Sequence, residues 1–335
     1  MGCISSGAFA PPRRCTSRRS AYINKSSIAL GYFDGLHLGH KVVLKNAINI
    51  AKDNNTQTTV IIFKDHPLNF LTNNRVEQIL TLNEKIQMLE NIGIDNVILL
   101  DFEEFSNKTA IDYLENVIIK YFSPIAITTG FNHFFGYKKE GNSDFLRRNK
   151  DKYDYKYFEV PPFVVNENIV SCSVIRNKLS LGNFPEANKL LGYNYFINGT
   201  VIEGQRIASK LGFASANIEY PENKVQIPHG VYYVKVVVDE KEFNGILNHG
   251  FAPTINNEEK LKTEVHIIDF NEDIYGKNIK VSFISKIRNQ MKFENIEKLK
   301  SQLTRDQAFA EIYKHFLEGN FQLDTKRFSP NKFLL

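Results

Sequence analysis

The sequence predicts two domains of different class: a doubly wound α/β domain, followed by a small antiparallel β-barrel with a C-terminal helix. Three observations lead to this prediction. The first half alternates apolar runs with apolar residues at helical spacing, which is typical of βαβ units. After Gly192 the chain is rich in strand-like runs separated by short Gly, Asn and Asp turns. With 335 residues, the chain is also longer than the roughly 100–200 residues of one usual domain.

The first domain opens with an apolar run from Ser27 to Phe33, which predicts a buried strand. A glycine-rich turn follows, and four apolar residues then recur at helical spacing: Leu44, Ala47, Ile48 and Ala51. Further strands are predicted over residues 58–63, near 96–102 and over 125–130, with a helix at roughly 109–122. This order predicts right-handed crossovers between parallel strands.

The second domain is predicted from four β-rich runs, Val231–Val238, Gly245–Asn248, Glu264–Phe270 and Ile279–Ile284. Between about residues 295 and 317 six apolar residues fall near helical spacing: Ile296, Leu299, Leu303, Phe309, Ile312 and Phe316. We therefore expect a C-terminal helix that covers one side of the barrel. The predicted division is an extension over 1–26, the α/β domain over 27–181, the barrel domain over 182–320 and a tail over 321–335.

Composition narrows the class of protein. Apolar residues make up 42% and charged residues 24%, and no apolar run approaches the ~20 residues needed to cross a bilayer. The net charge of +5 is modest and acidic residues occur throughout, which favours small anions such as nucleotides over nucleic acid. Cys3, Cys15 and Cys172 show no paired spacing, so we expect a reducing compartment and neither a disulfide framework nor a zinc site.

Residues 1–27 differ from the rest, because they contain five basic residues, no Asp or Glu, and many Ser, Pro and Gly. A segment of this kind is not expected to pack. It is also similar to an organellar transit peptide, whereas residues 1–6 match a myristoylation pattern with an adjacent cysteine. A disordered extension or a misassigned start is the third alternative. We expect a cytoplasmic protein, or an organellar one if the segment is a transit peptide.

The strongest chemical signal lies between Gly31 and His40, where the first strand turns into the first helix. Glycines there let the backbone approach a triphosphate, and a helix N-terminus offers free N–H donors. His37 and His40 can donate to phosphoryl oxygens as negative charge moves to a pyrophosphate leaving group. The alternatives for this histidine pair are ordinary loop residues, a helix cap or a metal site.

The His-x-Gly-His turn resembles the nucleotidylyltransferase superfamily, and the string Gly-x-Phe-Asp-Gly-x-His-x-Gly-His resembles its FAD synthetase branch. The resemblance implies transfer of AMP from ATP to FMN, with His37 and His40 as catalytic residues. It further implies that five residues bind ATP: Gly31, Phe33, Asp34, Gly35 and Gly39.

Later segments resemble further motifs of that branch in the same order, namely Phe63–Pro67, Gly130–Gly136 and Val170–Arg176. Asp65 stands in place of the usual proline, and Cys172 in place of a serine. The resemblance implies flavin contacts by His66 and Asn132, and ATP contacts by Ser171, Ser173 and Arg176. Each residue has a simpler alternative: a strand cap for His66, a turn for Asn132, an N-cap for Ser173 and a surface ion pair for Arg176.

From about Gly182 to Gln307 the chain resembles the riboflavin kinase module. The matching segments are Gly199–Gly204, Leu211–Asn217, Pro228–Tyr232, Pro253–Thr254, Glu264–Phe270 and Tyr275–Gly276. The resemblance implies that Ser215 and Asn217 bind ATP phosphate and Mg²⁺, with Ser215 as a metal ligand. It implies that Glu264 is the base for the riboflavin 5′-hydroxyl. For Ser215 and Asn217 the alternative is a turn in which they satisfy the local backbone hydrogen bonds. For Glu264 it is a solvent-exposed carboxylate on a strand.

Three residues of this module depart from the family pattern. Ala214 replaces a proline, and Ala208 and Ser209 stand where relatives carry a Gly-Arg pair. These changes relax a loop and remove a guanidinium near the nucleotide, so we expect a weakened kinase.

Taken together, the resemblances predict a bifunctional enzyme that makes FMN from riboflavin and FAD from FMN. The expected partners are riboflavin, FMN, FAD and ATP, with Mg²⁺ as cofactor, and neither nucleic acid nor stable membrane insertion. The alternatives are an FAD synthetase with a decayed kinase module, a flavin-binding protein without turnover, and nucleic-acid binding through the basic N-terminus. The sequence does not determine the oligomeric state.

Overall fold

The computed structural model describes residues 25–72, 75–202, 215–253 and 259–317, together with a short strand at Arg13–Arg14. It divides into two compact units, one up to Cys172 and one from Ser173 onward. Among the described residues no helix is long and apolar enough to span a membrane.

The first unit contains a six-stranded sheet flanked by helices. Its strands are β1 (Arg13–Arg14), β2 (Ser26–Leu30), β3 (Gln57–Phe63), β4 (Asn96–Leu100), β5 (Pro124–Gly130) and β6 (Lys156–Val160), and β7 (Val164–Val165) and β8 (Asn168–Ile169) form a separate hairpin. Its helices are α1 (Leu38–Asp53), α2 (Pro67–Leu71), α3 (Leu82–Ile92), α4 (Phe102–Phe105), α5 (Ala110–Tyr113), α6 (Lys120–Phe122) and α7 (Ser143–Asn149). A π-helical stretch, Leu114–Ile119, joins α5 to α6, so the helix predicted at 109–122 is present.

The sheet order is β1-β4-β3-β2-β5-β6, in which β1 is antiparallel to β4 and the other neighbours are parallel. The chain moves from β2 outward to β3 and β4, and then returns to place β5 and β6 on the other side of β2. This is the doubly wound arrangement that the sequence predicted. The strand order reverses between β2 and β5, and ligands of such sheets bind at the carboxyl ends of the strands at this point.

Two details of the first unit differ from the sequence prediction. The first strand ends at Leu30 instead of reaching Phe33, because Phe33 adopts the left-handed conformation with φ 52° and ψ 37°. The edge strand β6 was not predicted, since Lys156 and Glu159 interrupt its apolar pattern and expose it to solvent. The end of the first strand and the presence of β6 are thus set by backbone conformation and strand pairing more than by the local hydrophobic pattern.

In the second unit, six strands form a closed antiparallel barrel, which confirms the predicted architecture. The strands are β9 (Phe196–Ile202), β10 (Ser215–Ile218), β11 (Gly230–Val238), β12 (Lys241–Pro253), β13 (Glu259–Ile267) and β14 (Asn278–Arg288). The helices are α8 (Cys172–Ser180), whose first residue belongs to the first unit, α9 (Phe184–Leu191) and α10 (Ile296–Leu317). The strands β9 and β10 were not among the predicted runs.

The C-terminal helix α10 packs on the barrel as predicted. Ala310 is buried in a cluster with Val231, Tyr233 and other barrel residues, and Phe309 and Tyr313 pack against this cluster. The same helix is held by an ion pair: the guanidinium of Arg288 at the end of β14 donates to both carboxylate oxygens of Asp306 at 2.8–3.1 Å.

Several sequence predictions fall outside the described residues. They concern Ala208, Ser209 and Ala214 of the kinase loop, Thr254, the tail after residue 317, and the N-terminal extension apart from Arg13, Arg14, Lys25 and Ser26. The predicted domain boundary at 181–182 stays a prediction.

Candidate active sites

The segment after β2 forms a tight turn that leads directly into α1. Phe33 and Gly35 both have positive φ, and a Cβ on Gly35 would lie 2.8 Å from the side chain of Ile79. Asp34 is 1% exposed, and its Oδ1 accepts hydrogen bonds from the backbone N–H groups of Ile79 (3.0 Å) and Leu80 (3.4 Å). This carboxylate therefore anchors the turn to the segment before α3, and its predicted contact with ATP stays a prediction.

His37 is the N-cap residue of α1, since its Nδ1 accepts a hydrogen bond from the backbone N–H of His40 at 3.3 Å. This arrangement places the ring proton of neutral His37 on Nε2. The two histidine rings stack with centroids 3.6 Å apart and planes 18° apart. Gly39 permits the stack, because a Cβ there would lie 3.2 Å from the His37 ring. His37 is thus a helix cap, one of the predicted alternatives, and the same residue is the predicted phosphate donor.

Both histidines are neutral at pH 7. Burial lowers the pKa of His37 to about 4, although the nearby Asp34 carboxylate works in the opposite direction. Burial also holds the pKa of His40 well below its usual range, and electrostatic interaction with His37 and Lys85 lowers it further. A neutral imidazole still offers one N–H donor, so the pair can contact phosphate oxygens without bearing charge.

Lys85 is a residue that the sequence analysis missed. It is fully buried on α3, and its Nζ donates to the Tyr32 carbonyl at 3.1 Å and lies 3.8 Å from the centroid of the Tyr32 ring. A buried ammonium beside the histidine pair favours anions at this edge of the sheet. One sequence signal could have indicated that Lys85 is buried: it lies four residues before the buried Leu89 and therefore on the same, inner face of an amphipathic helix.

The loops after β3 and β5 reach the same edge as the turn after β2, because these strands are parallel neighbours. His66 lies against Tyr32, with ring centroids 4.6 Å apart, and its Nδ1 accepts from Leu68 N at 3.2 Å. It therefore caps helix α2 and not a strand. Asn132 is exposed just after β5. Their predicted flavin contacts stay predictions.

Of the predicted ATP-binding residues near α8, Ser171 immediately precedes the helix. The helix begins at Cys172, so Ser173 lies within its first turn and is not its N-cap. Ser173 and Arg176 belong to the second unit, and their roles towards ATP stay predictions. Cys172 belongs to the first unit, where its Sγ donates to the Asp34 carbonyl at 3.0 Å.

The second site lies in the barrel, where β10 and β13 are paired. Ser215 faces His266 in the register, Asn217 faces Glu264, and the Ser215 hydroxyl donates a hydrogen bond to the Glu264 carboxylate. A cavity of about 340 Å³ is lined by Ser215 of this pair, together with Phe270, Asp273, Tyr275 and others. The hydroxyl that binds the Glu264 carboxylate therefore also faces a cavity with aromatic walls, which suits a small ligand.

Comparisons with known proteins match the two halves of the chain to two different family models. A family model described as FAD synthetase matches residues 20–174, and one described as riboflavin kinase matches residues 191–314. The chain also matches a crystal structure described as a macrolide-efflux protein from Streptococcus pneumoniae, with a TM-score of 0.77 and 29% identity over 86% of this chain and 94% of that one.

Curated relatives are described by both activities in one protein. A bifunctional riboflavin kinase/FMN adenylyltransferase from Buchnera aphidicola subsp. Schizaphis graminum is 35% identical over 87% of this chain and 94% of the relative. One of the same description from Bacillus subtilis is 33% identical over 86% of this chain and 92% of the relative. The chain therefore belongs to the family of bifunctional riboflavin kinase/FMN adenylyltransferases.

Proposed function

We propose that this chain makes FMN and then FAD in two ATP-dependent steps, one in each unit. The observation that carries the proposal is that the two family matches coincide with two separate sites. The first contains the stacked histidine pair at the N-terminus of α1, and the second contains the hydrogen-bonded Ser215 and Glu264 of the barrel.

In the first unit, an oxygen of the FMN phosphate attacks the α-phosphorus of ATP, and the bond to the bridging oxygen of pyrophosphate breaks. His37 donates through Nε2–H, because its Nδ1 is occupied by the backbone N–H of His40. Free N–H groups at the start of α1, the histidine pair and buried Lys85 together stabilise the developing negative charge. The reaction needs positioning and charge neutralisation and no covalent intermediate.

In the barrel, the 5′-hydroxyl of riboflavin attacks the γ-phosphorus of ATP, ADP leaves, and Glu264 accepts the hydroxyl proton. The hydrogen bond from Ser215 holds the carboxylate in place. The oxygen of Ser215 keeps its lone pairs while it donates, so it can also act as a ligand.

The oxygen donors of Ser215 and Asn217 fit Mg²⁺, which prefers hard oxygen ligands. Bound Mg²⁺ would neutralise charge on the ATP phosphates. We expect the changes at Ala208, Ser209 and Ala214 to make phosphorylation the weaker activity. We also place the enzyme in the cytoplasm; accumulation of a reporter fused to residues 1–27 in an organelle would contradict this.

A coupled assay tests the proposal. The purified chain is incubated with riboflavin, ATP and Mg²⁺, and FMN and FAD are separated by chromatography; a second reaction starts from FMN. We expect FMN and FAD in the first reaction and FAD in the second. FAD from FMN without FMN from riboflavin would identify a decayed kinase module, and no product in either reaction would refute the proposal.

A further inference from the structure

The first unit brings together three side chains that the sequence separates. One potential ligand atom from each of His37, His40 and Cys172 lies within 4.8 Å of the other two. The spacing of the cysteines along the chain shows no pairing and therefore predicts no zinc site. Folding of the first unit places Cys172, the first residue of α8, beside the turn that starts α1, as the contact from Cys172 Sγ to the Asp34 carbonyl shows.

We propose that His37, His40 and Cys172 form a binding site for a transition-metal cation of the zinc class. Two imidazole nitrogens and one sulfur are the donors that Zn²⁺ and its neighbours in the first transition series prefer. Three protein ligands leave a fourth position open for water or another ligand. Mg²⁺ does not suit this set, since it binds oxygen.

The three ligand atoms must move slightly closer together to bind one metal ion. With metal–ligand bonds of about 2.0–2.3 Å, donors around a tetrahedral ion lie roughly 3.3–3.8 Å apart. Ligand atoms within 4.8 Å must therefore approach by about 1 Å, which side-chain rotation supplies. Cys172 would release its thiol proton to solvent and exchange its hydrogen bond to the Asp34 carbonyl for the metal bond.

Two local features favour a cation and one opposes it. His40 Nδ1 is buried without a hydrogen-bond partner among the described residues, and a metal bond to this nitrogen would satisfy it. The buried Asp34 carboxylate adds negative charge near His37. Lys85, which is positively charged and close to His40, weakens the site. The outcome is a site of moderate affinity that a cation can enter and leave.

Occupancy would block adenylyl transfer, because the same two histidines contact the phosphates of ATP in the proposed function. This consequence rests on that proposal, whereas metal binding itself does not. The cysteine distinguishes this site from the FAD synthetase motif, since a serine at residue 172, as that motif has it, provides a hard oxygen in place of the soft sulfur.

Binding is tested on the full chain after treatment with a chelator, by titration with Co²⁺ followed in absorbance. We expect one Co²⁺ per chain, with a sulfur-to-cobalt charge-transfer band in the near ultraviolet that Zn²⁺ abolishes by displacement. Cys172→Ser should lose the band and bind Co²⁺ at least about tenfold more weakly than the parent. Changing a residue that only hydrogen-bonds to a metal ligand already weakens metal binding by about 10–100-fold, so loss of a ligand should cost no less. The matched control Cys3→Ser/Cys15→Ser should behave like the parent.

Activity provides the second readout. Added Zn²⁺ should inhibit FAD formation from FMN by the parent and the control at concentrations at least about tenfold lower than for Cys172→Ser. Riboflavin phosphorylation in the same samples should show no such difference between variants. Formation of Zn²⁺–ATP affects all variants equally and would not produce this pattern.

Either of two results would overturn the inference. A parent protein that shows no sulfur-to-cobalt band has no such site, whatever the folding of the variants. Equal Co²⁺ affinity in the parent and Cys172→Ser would exclude the thiol as a ligand. If no FAD forms even without added metal, the proposed function fails, while the cobalt titration still decides whether the site exists.

Discussion

His37 combines a structural role with a proposed chemical role in one imidazole. Its Nδ1 caps α1 through the His40 N–H, and this hydrogen bond leaves Nε2–H as the available donor. A histidine is required for the combination, because a capping Ser, Asp or Asn satisfies the helix without extending a ring N–H towards a phosphate. The tight stack with His40 further limits the ring to one orientation.

We predict that His37→Ala lowers the rate of FAD formation by about 10²–10³-fold and leaves riboflavin phosphorylation largely intact, since loss of one preorganised donor typically has this effect. His37→Asn is the matched variant, because it keeps a capping side chain. It should regain the roughly 1 kcal/mol of unfolding free energy that loss of a cap costs. It should not regain the rate. Parallel loss of both activities in a folded variant would contradict two separate sites.

The lowered pKa values of the two histidines also predict how FAD formation depends on pH. Because the pKa of His37 is lowered to about 4 and that of His40 lies well below its usual range, neither ring titrates near pH 6.5 in the free enzyme. The value of kcat/KM for FAD formation reports the free enzyme. We therefore expect no histidine-dependent change between pH 6 and pH 8, and a decline only towards pH 4. Stopped assays across this range provide the measurement, and a midpoint near 6.5 that disappears in His37→Asn would refute the assignment.

At the scale of the secondary-structure element, the pairing of β10 with β13 creates the second site. Ser215 is opposite His266 in the register, yet its hydroxyl reaches the carboxylate of Glu264 two residues away. A shift of one residue in this register would turn one of the two side chains to the other face of the sheet. The site therefore depends on strand pairing as much as on residue identity.

We predict that Glu264→Gln suppresses riboflavin phosphorylation by about 10²–10⁴-fold, the usual contribution of a positioned base. The amide keeps the shape of the side chain but cannot accept the hydroxyl proton. Glu242→Gln is the control, because Glu242 is an exposed carboxylate on neighbouring β12 with a side chain 58% exposed. FMN production by Glu264→Gln at the parental rate would show that this carboxylate is not the base.

Helix α10 is attached to the barrel by one buried ion pair as well as by apolar packing. Arg288 and Asp306 are 16% and 2% exposed, and Gln302 donates a further hydrogen bond to Asp306 at 2.9 Å. We predict that Asp306→Ala lowers the free energy of unfolding of the barrel by about 3 kcal/mol, because it leaves the Arg288 guanidinium without its carboxylate partner. Urea denaturation followed by circular dichroism measures the change, with Glu311→Ala, an exposed position on the same helix, as control.

At the scale of the whole molecule, each unit has a sheet or barrel core and a site of its own. The two half-reactions are then linked by a product, FMN, that leaves one site and binds at the other. Nothing in the chemistry requires both sites on one polypeptide.

We predict that a mixture of His37→Ala and Glu264→Gln converts riboflavin and ATP to FAD, although neither variant alone does so at a comparable rate. FMN made by the barrel of the first variant would diffuse to the adenylyltransferase site of the second. A time course of FMN and FAD separated by chromatography should show FAD forming after a lag, during which free FMN first appears. Failure of the mixture, with each variant retaining its intact half-reaction, would mean that FMN does not pass between chains.

The sequence by itself determined the two fold classes, the order of the motifs and the position of His37 and His40 between the first strand and the first helix. These features are encoded locally, because hydrophobic periodicity and a turn rich in glycine depend on neighbouring residues. The sequence pattern extended the first strand to Phe33 and omitted β6, β9 and β10, where backbone conformation and pairing with distant strands outweigh the local pattern.

Only the tertiary structure decided which distant side chains meet. It placed Lys85 beside Tyr32, joined the hydroxyl of Ser215 to the carboxylate of Glu264, and brought Cys172 to the histidine pair. Each of these contacts joins residues that lie 49 or more positions apart, a separation that no periodicity spans. Strand order and register set such contacts, because they are fixed by burial of the whole sheet or barrel and not by any single segment.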